Sequence, residues 1–248
     1  TEFVEDPGEV RPDTDDVDYL IGQANRWFDR PLSRPDVLGV YAGVRPLVTE
    51  QGTTATASLS REHVVFNPVP GLLAIAGGKY TTYRVMAKDA VDAVLEEGQF
   101  PAVACTTDTI PLVGAEGFEQ LWAQREALAA RAGLPVDLME GLLRRHGGHS
   151  EHVLELIGSD PVLAGRVDPG SGYLLAEAIT AVEREAATTL ADILVRRTRV
   201  ALECGDGGRA AARRVGEVLV SHCGWDPAVV EEQTAALATA PTTLAALG

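Results

Sequence analysis

No stretch of this chain is apolar for long enough to span a bilayer, and no run of lysine or arginine is long enough to make a basic tract. The first absence argues against a membrane-spanning helix. The second, with 36 acidic residues against 21 basic ones and a net charge of −15, argues against nucleic acid, whose phosphates such a surface repels. Cysteine is sparse: Cys105, Cys204 and Cys223 are odd in number and far apart, none in a zinc-type pair. That usage suits a reducing cytoplasm better than a disulfide scaffold. The opening residues TEFVEDPGEV lack a signal-like pattern, and the absent initiator Met and acidic, loop-like start lead us to expect a fragment. There is no internal repeat. What is present is enough apolar sequence, 46% of 248 residues, to bury a substantial core in one large or two smaller domains.

The chain reads in two parts. Asp13 to Arg30 has apolar residues at helical spacing behind an acidic start, which suits the positive end of a helix dipole. Pro31 and Pro35 end that helix, and Val37 to Val44 reads as a strand closed by Arg45-Pro46. Thr49 to Ser60 is small and polar, a surface loop. Glu62–Phe66 and Leu72–Ala76 read as a hairpin about Asn67-Pro68 and Pro70-Gly71. Two glycines follow, then a helix from Thr81 or Thr82 to Leu95, capped by a threonine and ended near Gly98. Beyond Pro101 strand signals nearly vanish. Helices are expected over 117–131, 136–146, 150–157, 173–200 with a break, 210–223 and 227–238. The expected fold is therefore α+β: a mixed β remnant over 1–102, then an all-α domain over 103–248.

Three features carry chemistry. In LLAIAGGKYTTYR, two glycines between strand and helix let a ligand approach backbone N–H groups at the positive end of the helix dipole. Lys79 adds a mobile cation and Thr81 and Thr82 add hydroxyls, so the turn suits a phosphate, a pyrophosphate or a negatively charged ring edge; a plain tight turn is the alternative. In YAGVRPLV, Arg45 stands between an apolar strand and a proline that restricts its backbone. Arg61 opens the strand after the polar loop. Two guanidinium forks and an ammonium brought together would bind a phosphorylated or carboxylated small molecule, whereas apart they are surface ion pairs. The three histidines of RRHGGHSEH are divided by Gly147-Gly148 and make a poor metal site, so no metal is expected. Arg196, Arg197 and Arg199 of RRTR read as partners for buried or interdomain carboxylates.

In order, YAGVRPLV, SREHVV and GLLAIAGGKYTTYRVMAKDAVDAV resemble the end of the catalytic half of FAD-dependent glycerol-3-phosphate dehydrogenases, and EREAATTLADILVRRTRVAL resembles that family's C-terminal cap domain. The resemblance implies oxidation of sn-glycerol 3-phosphate to dihydroxyacetone phosphate, with the C2 hydride passing to FAD and electrons onward to a quinone. It implies Arg45 as catalytic, Arg45, Arg61 and Lys79 against the substrate, and Gly77, Gly78, Lys79, Tyr80 and Thr81 against the flavin. It further implies a missing N-terminal FAD-binding half, without which turnover is not expected, a cytoplasmic location with peripheral attachment to the inner membrane face, and a homodimer as one option. Other readings are a glycerol-3-phosphate oxidase, a related flavoenzyme with a carboxylate substrate, and a non-catalytic helical binding module.

Overall fold

The computed structural model describes residues 10–44 and 62–237. Its contacts divide the chain into two compact units, one of residues 1–10 and 43–111, the other of 11–42 and 112–248. This division differs from a boundary near residue 103 over residues 11–42, which group with the helices, and over residues 103–111, which group with the first unit. The fold class is the one expected, a small sheet followed by helices.

The second unit begins with α1 (Thr14–Ala24), where Asp13 Oδ1 accepts from the Asp16 N–H at 2.7 Å. The helix stops six residues before the expected Arg30. Asn25 explains this: its amide donates to the Leu32 carbonyl and accepts from the Leu32 N–H, folding the chain back. Arg34 then clasps Asp18 with two bonds of 2.7 and 2.6 Å. The strand expected over Val37–Val44 does not form, because the segment pairs with no strand among the described residues. It packs instead on a helix: a Cβ on Gly39 would lie 2.2 Å from the Leu202 carbonyl oxygen.

Helices α3 (Phe118–Ala123), α4 (Arg125–Ala132), α5 (Val136–His146) and α6 (Ser150–Ser159) follow, then α7 (Leu175–Arg184), α8 (Val200–Glu203), α9 (Arg209–Cys223) and α10 (Pro227–Leu237). The single helix expected over 117–131 is broken at Gln124, whose φ of −98° and ψ of 7° leave the helical region. The core is mainly aliphatic, built around Met139, Leu142, Leu143, Val153, Leu174, Ile193 and Leu219. The break expected within 173–200 has a defined chemistry. Thr189 and Asp192 form a reciprocal capping box, Asp192 N–H to Thr189 Oγ1 and Thr189 N–H to Asp192 Oδ2, both 3.0 Å. A π-helical segment, Asp192–Arg197, starts there and closes with Thr198 N–H on the Ile193 carbonyl. Within RRTR, Arg196 pairs with Asp192 at 2.8 Å and Arg197 donates to the Glu185 carbonyl at 2.7 Å. Among the described residues no helix is long and apolar enough to cross a membrane.

One buried carboxylate ties α5 to α7. Glu177 has a side chain only 2% exposed. It accepts from Arg145 Nε (2.8 Å) and Nη2 (2.9 Å), His146 Nε2 (2.9 Å) and the Leu174 N–H (2.7 Å). Burial alone would raise its pKa, but the bonds from His146, Arg145 and Leu174 outweigh burial and hold it below the usual glutamate value. Beside it, Gly147-Gly148 is a packing contact. A Cβ on Gly147 would lie 2.1 Å from the Gly114 oxygen and one on Gly148 2.2 Å from the Glu116 oxygen, and the Gly148 N–H donates to the Gly114 carbonyl at 2.7 Å. His146 is thereby committed to Glu177, and His152 bonds Glu183 at 3.1 Å.

Because the folded pKa of Glu177 lies below its unfolded value of about 4.3, its contribution to stability is complete above that pH and lost as pH falls through the folded pKa. Glu177→Ala is expected to cost about 3–5 kcal/mol at pH 7 by leaving Arg145 unpaired, and less at pH 3, as read by urea unfolding at both pH values. Gly148→Ala is expected to destabilise by about 1–3 kcal/mol, because the opposing atom is a backbone oxygen that cannot rotate aside; thermal unfolding would check this.

Candidate functional site

The first unit is built on β1 (His63–Val69) and β2 (Leu72–Gly77), an antiparallel hairpin in which His63 faces Gly77, Val65 faces Ile75 and Val69 faces Leu72. Strand β1 runs further than the expected Phe66, through Asn67-Pro68. The register is irregular between Phe66 and Val69, since Pro68 has no N–H to give the ladder. Pro70-Gly71 makes the turn, with Gly71 at φ 79° as the third residue of a type II turn requires. After β2 come one 3₁₀ turn, Tyr80–Thr82, and α2 (Tyr83–Glu97).

Between β2 and α2 lies the double glycine. Gly77 and Gly78 have φ of 75° and 81°, a succession that residues with a Cβ rarely adopt. Space is tight at Gly78 as well: its Cβ would meet the Met86 sulfur at 2.6 Å and the His63 Cβ at 3.1 Å, so a side chain there requires the Met86 thioether to move. The turn therefore rests on β1 and α2, and the backbone beyond it faces outward. Hydrogen bonding of the helix start begins with Thr82, whose N–H and hydroxyl both reach the Lys79 carbonyl at 3.0 Å. The Lys79, Tyr80 and Thr81 N–H groups precede it at the positive end of the helix dipole, where an anion is favoured. The threonine cap expected at this helix is absent in its usual form, because the Thr82 hydroxyl turns back to Lys79 rather than forward to the helix.

Lys79 is exposed and has no ion-pair partner among the described residues, and Tyr80 is 91% exposed with its ring stacked on Tyr83 at 5.9 Å. Gly77, Gly78, Lys79, Tyr80 and Thr81 are thus consecutive on one outward-facing turn that offers backbone donors, one free cation and an aromatic face. Such a turn fits the negatively charged edge of a flat ring system or a phosphate. Arg45 and Arg61 lie outside the described residues. One residue escaped the sequence reading: His63, whose Nε2 bonds Asp89 Oδ2 of α2 at 2.9 Å. Its signal was present in the register, since it faces the first glycine, but the Asp89 partner is 26 positions away.

Residues 105–230 match the family described as the C-terminal domain of alpha-glycerophosphate oxidase. Glycerol-3-phosphate dehydrogenase 2 of Mycobacterium tuberculosis (strain ATCC 25618 / H37Rv) is 41% identical over 220 residues, 89% of this chain and 37% of that protein. The glycerol-3-phosphate dehydrogenase of Synechocystis is 33% identical over 231 residues, 90% of this chain and 41% of that one. The crystal structure of the Bacillus halodurans glycerol-3-phosphate dehydrogenase complexed with FAD superposes with a TM-score of 0.75 at 27% identity, covering 96% of this chain and 46% of that chain. This chain therefore spans less than half the length of these relatives.

Gly78→Ala is expected to strain the turn by about 1–2 kcal/mol through its positive φ, the flexible Met86 sulfur moving aside. Amide hydrogen exchange in β1 and β2 should accelerate about tenfold with no change in α5 or α9.

Proposed function

This chain belongs to the family of the C-terminal domain of alpha-glycerophosphate oxidase, and from that premise we propose that it is the distal part of an FAD-dependent sn-glycerol-3-phosphate dehydrogenase. The observation that carries the proposal is the turn Gly77-Gly78-Lys79, with two successive positive φ angles leading into a helix start beside a lysine that has no ion-pair partner among the described residues. The relatives' names supply the substrate, glycerol 3-phosphate, and FAD is bound in the Bacillus halodurans protein.

FAD, when bound, supplies the hydride acceptor for the C2 carbon of the substrate. The residues of this chain supply position and charge. The N–H groups at the start of α2 favour negative charge on the ring edge they face, and Gly77 and Gly78 let that edge come close. Lys79 neutralises the substrate phosphate or polarises the oxygen that becomes the carbonyl, together with Arg45 and Arg61. Arg45, in this reading, is the catalytic arginine.

A second feature supports a partner half. Side chains alternate across a hairpin, and residues directly opposite share a face. His63 turns toward Asp89 of α2, so the other face carries Val64, Phe66, Leu72, Ala74 and Ala76. Val64, Phe66 and Leu72 are 42–52% exposed among the described residues of this unit. A hairpin with one face and both edges uncovered among the described residues is marginal alone, and the N-terminal FAD-binding part of the relatives is the proposed cover. Quinone is the proposed acceptor, and attachment to the inner face of the cell membrane and a homodimer go with the same reading. The family's description favours oxygen as the second candidate acceptor.

The test is glycerol-3-phosphate oxidation with added FAD, by this chain alone and joined to the N-terminal half of the Mycobacterium tuberculosis relative, followed with a redox dye, a short-chain quinone and oxygen. Turnover is expected only in the joined protein and with dye or quinone. Lys79→Ala should lower kcat/KM about 10- to 100-fold, the scale of one charge-assisted hydrogen bond of about 1.5–3 kcal/mol. No turnover in a folded, flavin-loaded joined protein would end this reading.

A further inference from the structure

His63 does not reach the proposed ligand surface, yet it stands under the glycine turn. It is the first residue of β1, and its pairing with Gly77 is the last rung of the ladder before the turn. Past that rung the sheet gives Gly78 no support. What remains beneath Gly78 is side-chain matter: the His63 Cβ and the Met86 sulfur occupy the space a Cβ at position 78 would need. Met86 and Asp89 are three positions apart, on one face of α2. The His63 ring, 18% exposed, donates from Nε2 to Asp89 Oδ2 at 2.9 Å. One side chain thus both floors the turn and ties the end of β1 to the second turn of α2.

We propose that the His63–Asp89 pair is a positioning clamp that holds the Gly77-Gly78 turn and the start of α2 at a fixed separation, so that their N–H groups converge on one negatively charged ligand edge. The inference rests on the flavin reading above. The physical basis is preorganisation: donors held in place before charge develops stabilise that charge without reorganising, whereas donors on a loosened turn must first be ordered. Loss of the clamp therefore weakens the site most in the state carrying more negative charge, the reduced flavin.

The test uses the joined protein and reads FAD affinity and the flavin midpoint potential rather than turnover. His63→Ala and Asp89→Ala are expected to leave secondary structure intact while binding reduced flavin about tenfold more weakly relative to oxidised flavin, which lowers the two-electron potential by about 30 mV. His63→Gln, whose amide can still donate to Asp89, is expected to restore most of the potential. Should His63→Ala fail to fold, Asp89→Ala decides alone, since alanine at a half-exposed helix position favours the helix. An unchanged potential in folded Asp89→Ala overturns the clamp and leaves the flavin reading standing. A joined wild-type protein that binds no FAD overturns both.

Discussion

The helical unit depends on one buried negative charge. Glu177 sits among aliphatic side chains where an unpaired carboxylate would be expelled or protonated, and it stays ionised because Arg145, His146 and the Leu174 N–H all converge on it. Those partners come from the end of α5 and from the residue just before α7, so the charge fixes how the two helices meet. Arg145 extends the constraint by donating to the Gly172 carbonyl and lying over the Tyr173 ring at 4.5 Å. Every group near it is committed in turn. His146 is followed at once by Gly147-Gly148, whose missing side chains admit the backbone of Gly114 and Glu116. The histidine-rich stretch that invites a metal reading is thus explained by an ion network on one side and a backbone contact on the other.

The first unit works differently, with little buried charge and a site defined by backbone conformation. Two glycines at positive φ can be tolerated anywhere, but here Gly78 is also packed closely against the Met86 thioether and the His63 Cβ. Both requirements follow from seating the turn tightly on α2 and β1. The result is a closely packed turn with Lys79 and Tyr80 exposed beyond it.

The same economy appears at the π-helical segment. Asp192 accepts from the Thr188 and Thr189 N–H groups and from the Thr189 hydroxyl, and these bonds pull its pKa down to about 2. It also holds Arg196, so the first of the RRTR arginines serves the start of its own helix. Arg197 binds the Glu185 carbonyl at the C-terminal end of α7. The sequence reading expected buried or interdomain carboxylates as partners for this motif; Arg196 instead pairs with a carboxylate four residues back on its own helix, and Arg197 with a backbone carbonyl.

What the sequence determined by itself was local. The hairpin about Pro70-Gly71, the double-glycine turn, α5 and α9 were legible because periodicity, turn residues and caps act within a few positions, and the family was legible because ordered motifs survive where single ones do not. Tertiary structure decided what depends on distant partners. It ended α1 at Ala24 through the Asn25–Leu32 clasp, set Gly39 against Leu202 where a strand was expected, and broke the helix expected over 117–131 at Gln124. It also chose the partners of His63, 26 positions away, and of Glu177, 31 and 32 positions away. A charge pattern says that a carboxylate will find a cation, but only packing brings one particular pair within 3 Å, because the separation is set by every side chain lying between their backbones.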